Sequence, residues 1–149
     1  MTEKIRALIV QASPSLPDVL QLGLEGQWIE ISTARNCFEA ALVLCSNCPP
    51  HLVFTDLQFP DGNWSDVLNF AANASTAVNV IVVSPKVDIG LYIRAMEHGA
   101  FDFIVSPPST LELLHVVRVA AANVCARRRQ TTALSAAPSL AIRPLAENP

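Results

Sequence analysis

Apolar residues in this chain form either short continuous runs or longer stretches in which they recur every three or four positions. Five runs rich in β-branched residues predict strands: RALIV from Arg6, WIEIST from Trp28, LVFTD from Leu52, VNVIVVS from Val78 and FDFIVS from Phe101. Five helical periodicities follow them, at Leu16 to Leu24, Cys37 to Cys45, Ser65 to Ala74, Ile89 to His98 and Leu111 to Cys125. This alternation predicts an α/β domain with a mainly parallel sheet covered by helices on both faces.

Two elements carry additional signals. The second strand alternates apolar and polar residues, so we expect it at an edge of the sheet. The last helix is preceded by Ser109-x-x-Glu112, the pattern of a capping box. Its predicted buried stripe is Leu113, Val117, Ala120, Ala121 and Val124, and its predicted outward residues are His115, Arg118 and Ala122.

Composition narrows the class of protein. The chain has 149 residues, of which 51% are hydrophobic and 15% charged, and this fits one compact domain. No apolar run reaches the roughly 18 residues of a membrane span, and the N-terminus lacks a signal-peptide cleavage pattern. We therefore expect a cytoplasmic protein with no membrane partner. A net charge of -3 argues against nucleic-acid binding by this domain.

The C-terminal region changes character after Arg129. The basic run Arg127 to Arg129 is interpreted as solvating and capping the end of the last helix. The following residues contain three prolines, few charges and no sustained period. The prediction is a domain over residues 1–129 and a flexible tail or linker over residues 130–149.

Four cysteines in a chain of this length do not suggest a disulfide scaffold. Cys45 and Cys48 form a C-x2-C pattern followed by His51, but zinc would require a fourth ligand that the sequence does not supply nearby. Cys45 also continues the helical spacing of Phe38 and Leu42, which favours a core position. A redox or metal module through Cys45 and Cys48 is a minor alternative.

Parallel α/β sheets place their functional residues at the carboxyl ends of the strands. One carboxylate, Asp56, falls there, at the end of the third strand. Asp61 and Gly62 are predicted to shape the turn that follows it. The other polar and small side chains predicted at this edge are Gln11, Ala12, Gln58, Ser84, Lys86 and Ser106.

Four segments together resemble response-regulator receiver domains of two-component signalling: ALIVQASPS, LVFTDLQFPDG, VIVVSPKVD and AMEHGAFDFIVSPPSTLELL. The resemblance covers about residues 5 to 129. It implies a flavodoxin-like, doubly wound (βα)5 fold whose five-stranded parallel sheet has the order 2-1-3-4-5. It places Asp56 on the phospho-acceptor position, and it places Ser84 and Phe103 on the hydroxyl and aromatic switch positions.

The sequence departs from the family pattern around the acceptor. The two acidic positions that hold Mg²⁺ after the first strand are Gln11 and Ala12, and the lysine position after the fifth strand is Ser106. Phosphoryl transfer depends on a cation that neutralises the developing charge. We therefore expect weak or absent Mg²⁺ binding and an atypical receiver whose Mg²⁺-dependent phosphorylation is lost or strongly weakened. Gln58 and Lys86 are candidate rim residues of this pocket.

Receiver domains signal through the face formed by the fourth helix, the fifth strand and the fifth helix, and often dimerise through it. Arg94, Asp102 and Glu112 fall on positions that resemble the charged residues of such dimers. A usual basic position is Val116, so a more apolar interface is expected, around Leu91, Val116 and Val119.

The leading hypothesis is a regulatory protein-interaction module rather than an enzyme. Its partner would be a histidine kinase, an output domain or another receiver, which includes a second copy of this chain. The alternative is that Asp56 is still phosphorylated, by a histidine kinase or a small phosphodonor, and that the domain switches through Ser84 and Phe103.

Overall fold

The structure is a computed structural model that describes residues 4–12 and 28–136. The predicted first helix, Leu16 to Leu24, lies outside the described residues, and so does the predicted tail from residue 137 onwards. Leaving those segments aside, no helix combines the length and the apolar character needed to cross a membrane.

The central sheet has five parallel strands, and four helices lie in the described ranges. The strands of the central sheet are β1 (Ile5–Val10), β2 (Ile29–Ala34), β3 (Leu52–Thr55), β6 (Asn79–Ser84) and β7 (Asp102–Val105). A separate small antiparallel pair is formed by β4 (Gln58–Phe59) and β5 (Gly62–Asn63). The helices are α1 (Cys37–Leu44), α2 (Trp64–Ala72), α3 (Ile89–Glu97) and α4 (Thr110–Ala136).

The order of the central sheet is β2-β1-β3-β6-β7. Counting only these five strands, this is the order 2-1-3-4-5, so the predicted fold class is confirmed. The predicted edge position of β2 is also confirmed, and its middle residues are partly exposed or exposed.

Two apolar clusters cover the two faces of the sheet because successive residues of a strand point to opposite faces. Ile9, Phe54 and Ile81 pack on one face against α4. Leu8, Val53 and Val82 pack on the other face against α1, α2 and α3. The carboxyl ends of the strands remain at one edge, which the loops after β1, β3, β6 and β7 share.

The last helix is longer than its periodicity indicates. Ser109 accepts the Glu112 N–H at 3.1 Å, and the predicted buried stripe and outward residues are confirmed. The helix continues to Ala136 rather than ending at Cys125, so residues 130–136 of the predicted tail are helical.

The basic run does not cap a helix end, and that interpretation is wrong. Arg128 donates to the carbonyl oxygens of Ala77 at 2.8 Å and Pro50 at 2.8 Å, and Arg127 donates to the Asn79 side chain. These contacts hold the extended helix against the amino edge of the sheet.

The predicted core position of Cys45 is also wrong. In α1, Cys37, Ala40 and Leu44 are buried, whereas Phe38 and Leu42 are 66% and 59% exposed and Cys45 is exposed. The helix is apolar on both sides, so spacing alone does not indicate which side packs against the sheet.

Candidate functional site

Gln11 and Asp56 lie next to each other at the carboxyl edge. The Gln11 N–H donates to Ala34 at 2.9 Å and the Asp56 N–H donates to Val10 at 2.9 Å, so each residue extends its strand by one position. The alternation of side chains then places both on the face that carries α4. The predicted juxtaposition of these two residues is therefore present.

The Asp56 carboxyl group is about half buried. Burial raises its pKa above the ordinary value, and a hydrogen bond from the Ala12 N–H opposes this effect in part. The charged form is thus less well compensated here than in water.

Gln11 contributes a neutral amide to the same place. Its side chain is 6% exposed, and the buried Oε1 atom has no hydrogen-bond partner among the described residues. Ala12 is exposed and supplies only its backbone N–H. Beside Asp56, the two residues after β1 therefore add hydrogen-bonding groups but no charge.

Ser84 is buried at the end of β6 and its hydroxyl group is already engaged. It donates to the Lys86 carbonyl oxygen at 2.6 Å and accepts the Lys86 N–H at 3.3 Å. The side chains of Lys86 and Gln58 are exposed, as expected for residues at the rim. The hydroxyl is therefore turned to its own loop.

Ser106 lies at the end of β7, and its N–H donates to the Ser84 carbonyl oxygen at 2.8 Å. The peptide bond to Pro107 is cis. The ends of four neighbouring strands thus bring Gln11, Asp56, Ser84 and Ser106 to one edge.

Phe103 is half buried in β7 and contacts an aromatic residue that the sequence did not single out. Tyr92 of α3 stands edge-on to it, with ring centroids 5.7 Å apart and an interplanar angle of 87°. The two rings line a groove of about 200 Å³ with Val87, Ile89 and Val105. The only sequence signal for this contact is that Tyr92 is an aromatic residue on the helix preceding β7, and this does not by itself predict the pairing with Phe103.

The predicted interface residues fall into two groups. Arg94 and Glu112 are exposed, whereas Asp102 is half buried and accepts the Phe103 N–H at 2.7 Å. Leu91 and Val116 are buried at 5% and 6% exposure, so the prediction that they form an apolar interface is wrong. Exposed apolar residues on this side of the molecule are Val87, Ile89, Tyr92, Ile93, Met96, Leu111 and Val119.

Asp61 has a role beyond the predicted turn. Its carboxylate accepts the N–H groups of Cys37 at 2.9 Å and Phe38 at 3.0 Å, and these bonds lower its pKa. It therefore supplies a second cap to the N-terminus of α1, whose own N-cap residue is Asn36. A Cβ atom at Gly62 would lie 2.5 Å from the Asp66 carboxylate and 2.8 Å from Cys37 Sγ, so a larger residue would require these side chains to shift. No local signal marks the cap, because its partners are more than twenty positions away.

The cysteines do not gather into a cluster with His51. Cys45 and Cys48 are exposed, while His51 is buried and accepts the Arg6 N–H at Nδ1. Across the described ranges, no three His, Cys, Asp or Glu side chains are placed to hold a metal ion. Burial raises the pKa of the Cys37 thiol to about 11, which keeps that group protonated.

The sheet order and the polar strand ends define a class: a flavodoxin-like α/β domain with a candidate acceptor carboxylate at the carboxyl edge. A sequence profile of the response regulator receiver domain matches residues 7–118, and the chain belongs to this family.

Relatives and solved structures agree with this assignment. Response regulator protein PilR of Pseudomonas aeruginosa is 29% identical over 115 residues, which cover 77% of this chain and 26% of PilR. DNA-binding response regulator MtrA of Mycolicibacterium smegmatis is 29% identical over 117 residues, which cover 78% of this chain and 50% of MtrA. This chain thus spans half or less of the length of these two relatives.

Among solved structures, the signal receiver domain of an HD domain-containing protein from Pseudomonas fluorescens Pf-5 superposes with a TM-score of 0.78 at 21% identity. The match covers 87% of this chain and 95% of that chain. The non-phosphorylated HemR receiver domain from Leptospira biflexa gives a TM-score of 0.68 at 25% identity, over 79% of this chain and 94% of that chain. These likenesses confirm the fold.

Proposed function

We propose that this chain is an atypical receiver domain that acts mainly as a regulatory protein-interaction module, with Mg²⁺-dependent phosphorylation lost or strongly weakened. One observation carries the proposal: the half-buried Asp56 carboxylate lies beside the neutral side chain of Gln11, and Ala12 offers it only a backbone N–H. Where the family has a lysine after the fifth strand, this chain has Ser106.

Electrostatics indicates how much this composition weakens cation binding. At an effective dielectric constant of about 20, two unit charges about 4 Å apart interact by about 4 kcal/mol. Mg²⁺ also loses its hydration water reluctantly and is held in phosphoryl-transfer sites by carboxylates together with phosphate oxygens. One carboxylate and one amide oxygen are a poor fit for this ion, so the site lacks its main means of stabilising transferred phosphate.

The switch positions support a domain that stays in one state. The Ser84 hydroxyl donates to Lys86 rather than remaining available to a phosphoryl group. The Phe103 ring packs against Tyr92 and has no hydroxyl group of its own. A fixed arrangement suits a domain whose binding surface is presented without a chemical trigger.

A beryllofluoride titration in the presence of Mg²⁺ tests the proposal, with the backbone amide of Asp56 followed by NMR. We expect no saturable shift in the natural chain. The matched variant Gln11→Asp/Ala12→Asp/Ser106→Lys restores the acidic pair and the lysine, and we expect saturation in the millimolar range. Saturation of the natural chain in that range would instead support the alternative, phosphorylation of Asp56 with switching through Ser84 and Phe103.

The interaction surface is proposed to be the side formed by α3, β7 and α4. Its exposed apolar residues include Val87 at 75%, Ile89 at 70% and Leu111 at 81%, and several such residues on one side of a molecule are typical of a protein-interaction site. Arg94 and Glu112 supply charges at its margin. The proposed partner is a histidine kinase, an output domain or another receiver, and a second copy of this chain is the simplest case.

Sedimentation equilibrium tests the second-copy case. We expect Leu111→Glu to weaken self-association at least about tenfold, because a charge would be buried at the contact. Phe38→Glu is the matched control, since Phe38 is 66% exposed on α1, which is not part of the proposed surface, and we expect its replacement to leave association unchanged. Equal effects of both changes, or a natural chain that is monomeric at all concentrations, would contradict the homodimer.

A further inference from the structure

A cavity lies at the opposite edge of the sheet from Asp56. It measures about 420 Å³ and is bounded by the end of α2, the segment 74–78, the end of α3 and the last turns of α4. Its apolar wall is formed by Leu68, Ala71, Val78 and Val80. The lining includes Arg127 and His98 but no carboxylate, although the chain as a whole has a net charge of -3.

The Arg127 guanidinium is held in place at this cavity by a buried side chain. One of its N–H groups donates to Oδ1 of Asn79, which is 3% exposed. The Asn79 amide in turn donates to the Ala120 carbonyl oxygen at 2.9 Å and to the Asn123 side chain at 3.0 Å. Arg127 is itself exposed, and its side chain has no further partner among the described residues. A positioned cation with spare donors is the usual way to bind an anionic group.

Other polar side chains line the same cavity. The His98 ring is fixed by a hydrogen bond between Nδ1 and the Arg94 carbonyl oxygen at 2.7 Å, and by an edge-on contact with Trp64 at 5.5 Å. The hydroxyl groups of Ser75 and Thr76 have no hydrogen-bond partner in the described ranges. The cavity therefore combines one cation, the Arg127 guanidinium, and the hydroxyl groups of Ser75 and Thr76 with an apolar wall.

We propose that this cavity binds a small organic monoanion, with its acidic group at Arg127 and its compact apolar part against Ala71 and Val80. One positioned guanidinium matches one negative charge, and the apolar wall matches a hydrocarbon group. The volume lies near the lower end of the range of about 300–1,000 Å³ typical of ligand pockets, which suits a small molecule. The ligand contacts α3 and α4 at once, and the proposal is independent of phosphorylation at Asp56.

An NMR titration of the full chain with benzoate tests the proposal. We expect saturable shifts of the backbone amides of Ser75, His98, Gly99 and Thr131, which lie around the cavity. Benzamide, which has the same ring without the charge, should bind at least about tenfold more weakly, because a charge-assisted hydrogen bond is lost. No saturation with benzoate, or equal affinity for both compounds, would overturn the proposal.

Variants distinguish this site from unspecific attraction to basic residues. Arg127→Gln should weaken benzoate binding at least about tenfold, whereas Arg129→Gln, an exposed arginine two positions further along α4, should leave it unchanged. Because Arg127 also contacts Asn79, a second variant leaves that contact in place: Ala72→Phe puts a ring into the cavity from the exposed end of α2. Benzoate affinity unchanged in Ala72→Phe, or reduced equally in both arginine variants, would contradict the assignment.

Discussion

The two edges of the central sheet differ in whether a buried amide side chain has hydrogen-bond partners. At the amino edge, Asn79 is 3% exposed and both polar atoms of its side chain have partners on α4. At the carboxyl edge, Gln11 is 6% exposed and its Oε1 atom has no partner among the described residues. The same chemical group is thus paired at one edge and unpaired at the other.

The charged groups follow the same division. Arg128 at the amino edge donates to the carbonyl oxygens of Ala77, Pro49 and Pro50. Asp56 at the carboxyl edge is half buried with a raised pKa. Unsatisfied buried groups lower stability and persist mainly where a protein binds or reacts. The amino edge therefore stabilises the fold, while the carboxyl edge retains the features of a functional site.

Replacing Asn79 by leucine breaks the paired edge and should have the largest effect. The change leaves the Ala120 carbonyl oxygen and the Arg127 guanidinium without their buried partner, and we expect the free energy of unfolding to fall by about 2–3 kcal/mol. Urea denaturation followed by circular dichroism measures it. The control is Asn69→Leu at an exposed position of α2, which should change stability by less than about 0.5 kcal/mol. A loss as small as the control's would show that the network at Asn79 is not stabilising.

The positions of the strands were predictable from the sequence because strands buried on both faces read as continuous apolar runs, whereas the strand order was implied by the resemblance to receiver domains. β3 and β6 are fully buried and are such runs, and the polar residues at their ends, Asp56 and Ser84, follow directly. The same reasoning places Gln11 after β1. Three residues of the candidate site were therefore located by position alone.

Other features depend on contacts between distant parts of the chain and had no local signal. Periodicity does not choose between the two apolar sides of α1, so Cys45 was assigned to the core although Leu44 is the buried residue. The Asp61 cap and the partners of Asn79 join positions separated by 23 to 48 residues. The predicted helix ended at Cys125, but α4 continues past it. The contacts that hold this extension join Arg128 to the carbonyl oxygens of Ala77 and Pro50, which are distant in the sequence.

The opposite result is expected when the unpaired amide is replaced. Gln11→Met keeps the length of the side chain and removes a buried acceptor that has no donor, so stability should be unchanged or rise by up to about 1 kcal/mol. The same urea measurement applies, with Asn79→Leu as the comparison. A loss comparable to that of Asn79→Leu would mean that Gln11 is as well paired as Asn79, and the distinction between the edges would fail.

The smallest effect concerns the pH dependence of stability at Asp56. Because burial raises the folded-state pKa above the unfolded value, the folded state binds more protons than the unfolded state between these two values. The contribution of Asp56 is therefore fully present below the unfolded pKa and is lost as pH rises through the folded pKa. Asp56→Asn removes this term while keeping an oxygen that accepts the Ala12 N–H.

The difference in unfolding free energy between the natural chain and Asp56→Asn, measured in urea at a series of pH values, isolates this residue from the other carboxylates. As pH rises from below the ordinary aspartate pKa towards neutrality, we expect the unfolding free energy of the natural chain to fall relative to that of Asp56→Asn. Asp61→Asn provides a control of opposite sign, since its hydrogen bonds to α1 lower the pKa of Asp61 and their stabilisation is lost as pH falls. A trend for Asp56 in the same direction as for Asp61 would mean that the Asp56 carboxylate is well compensated in the folded state, contrary to its raised pKa.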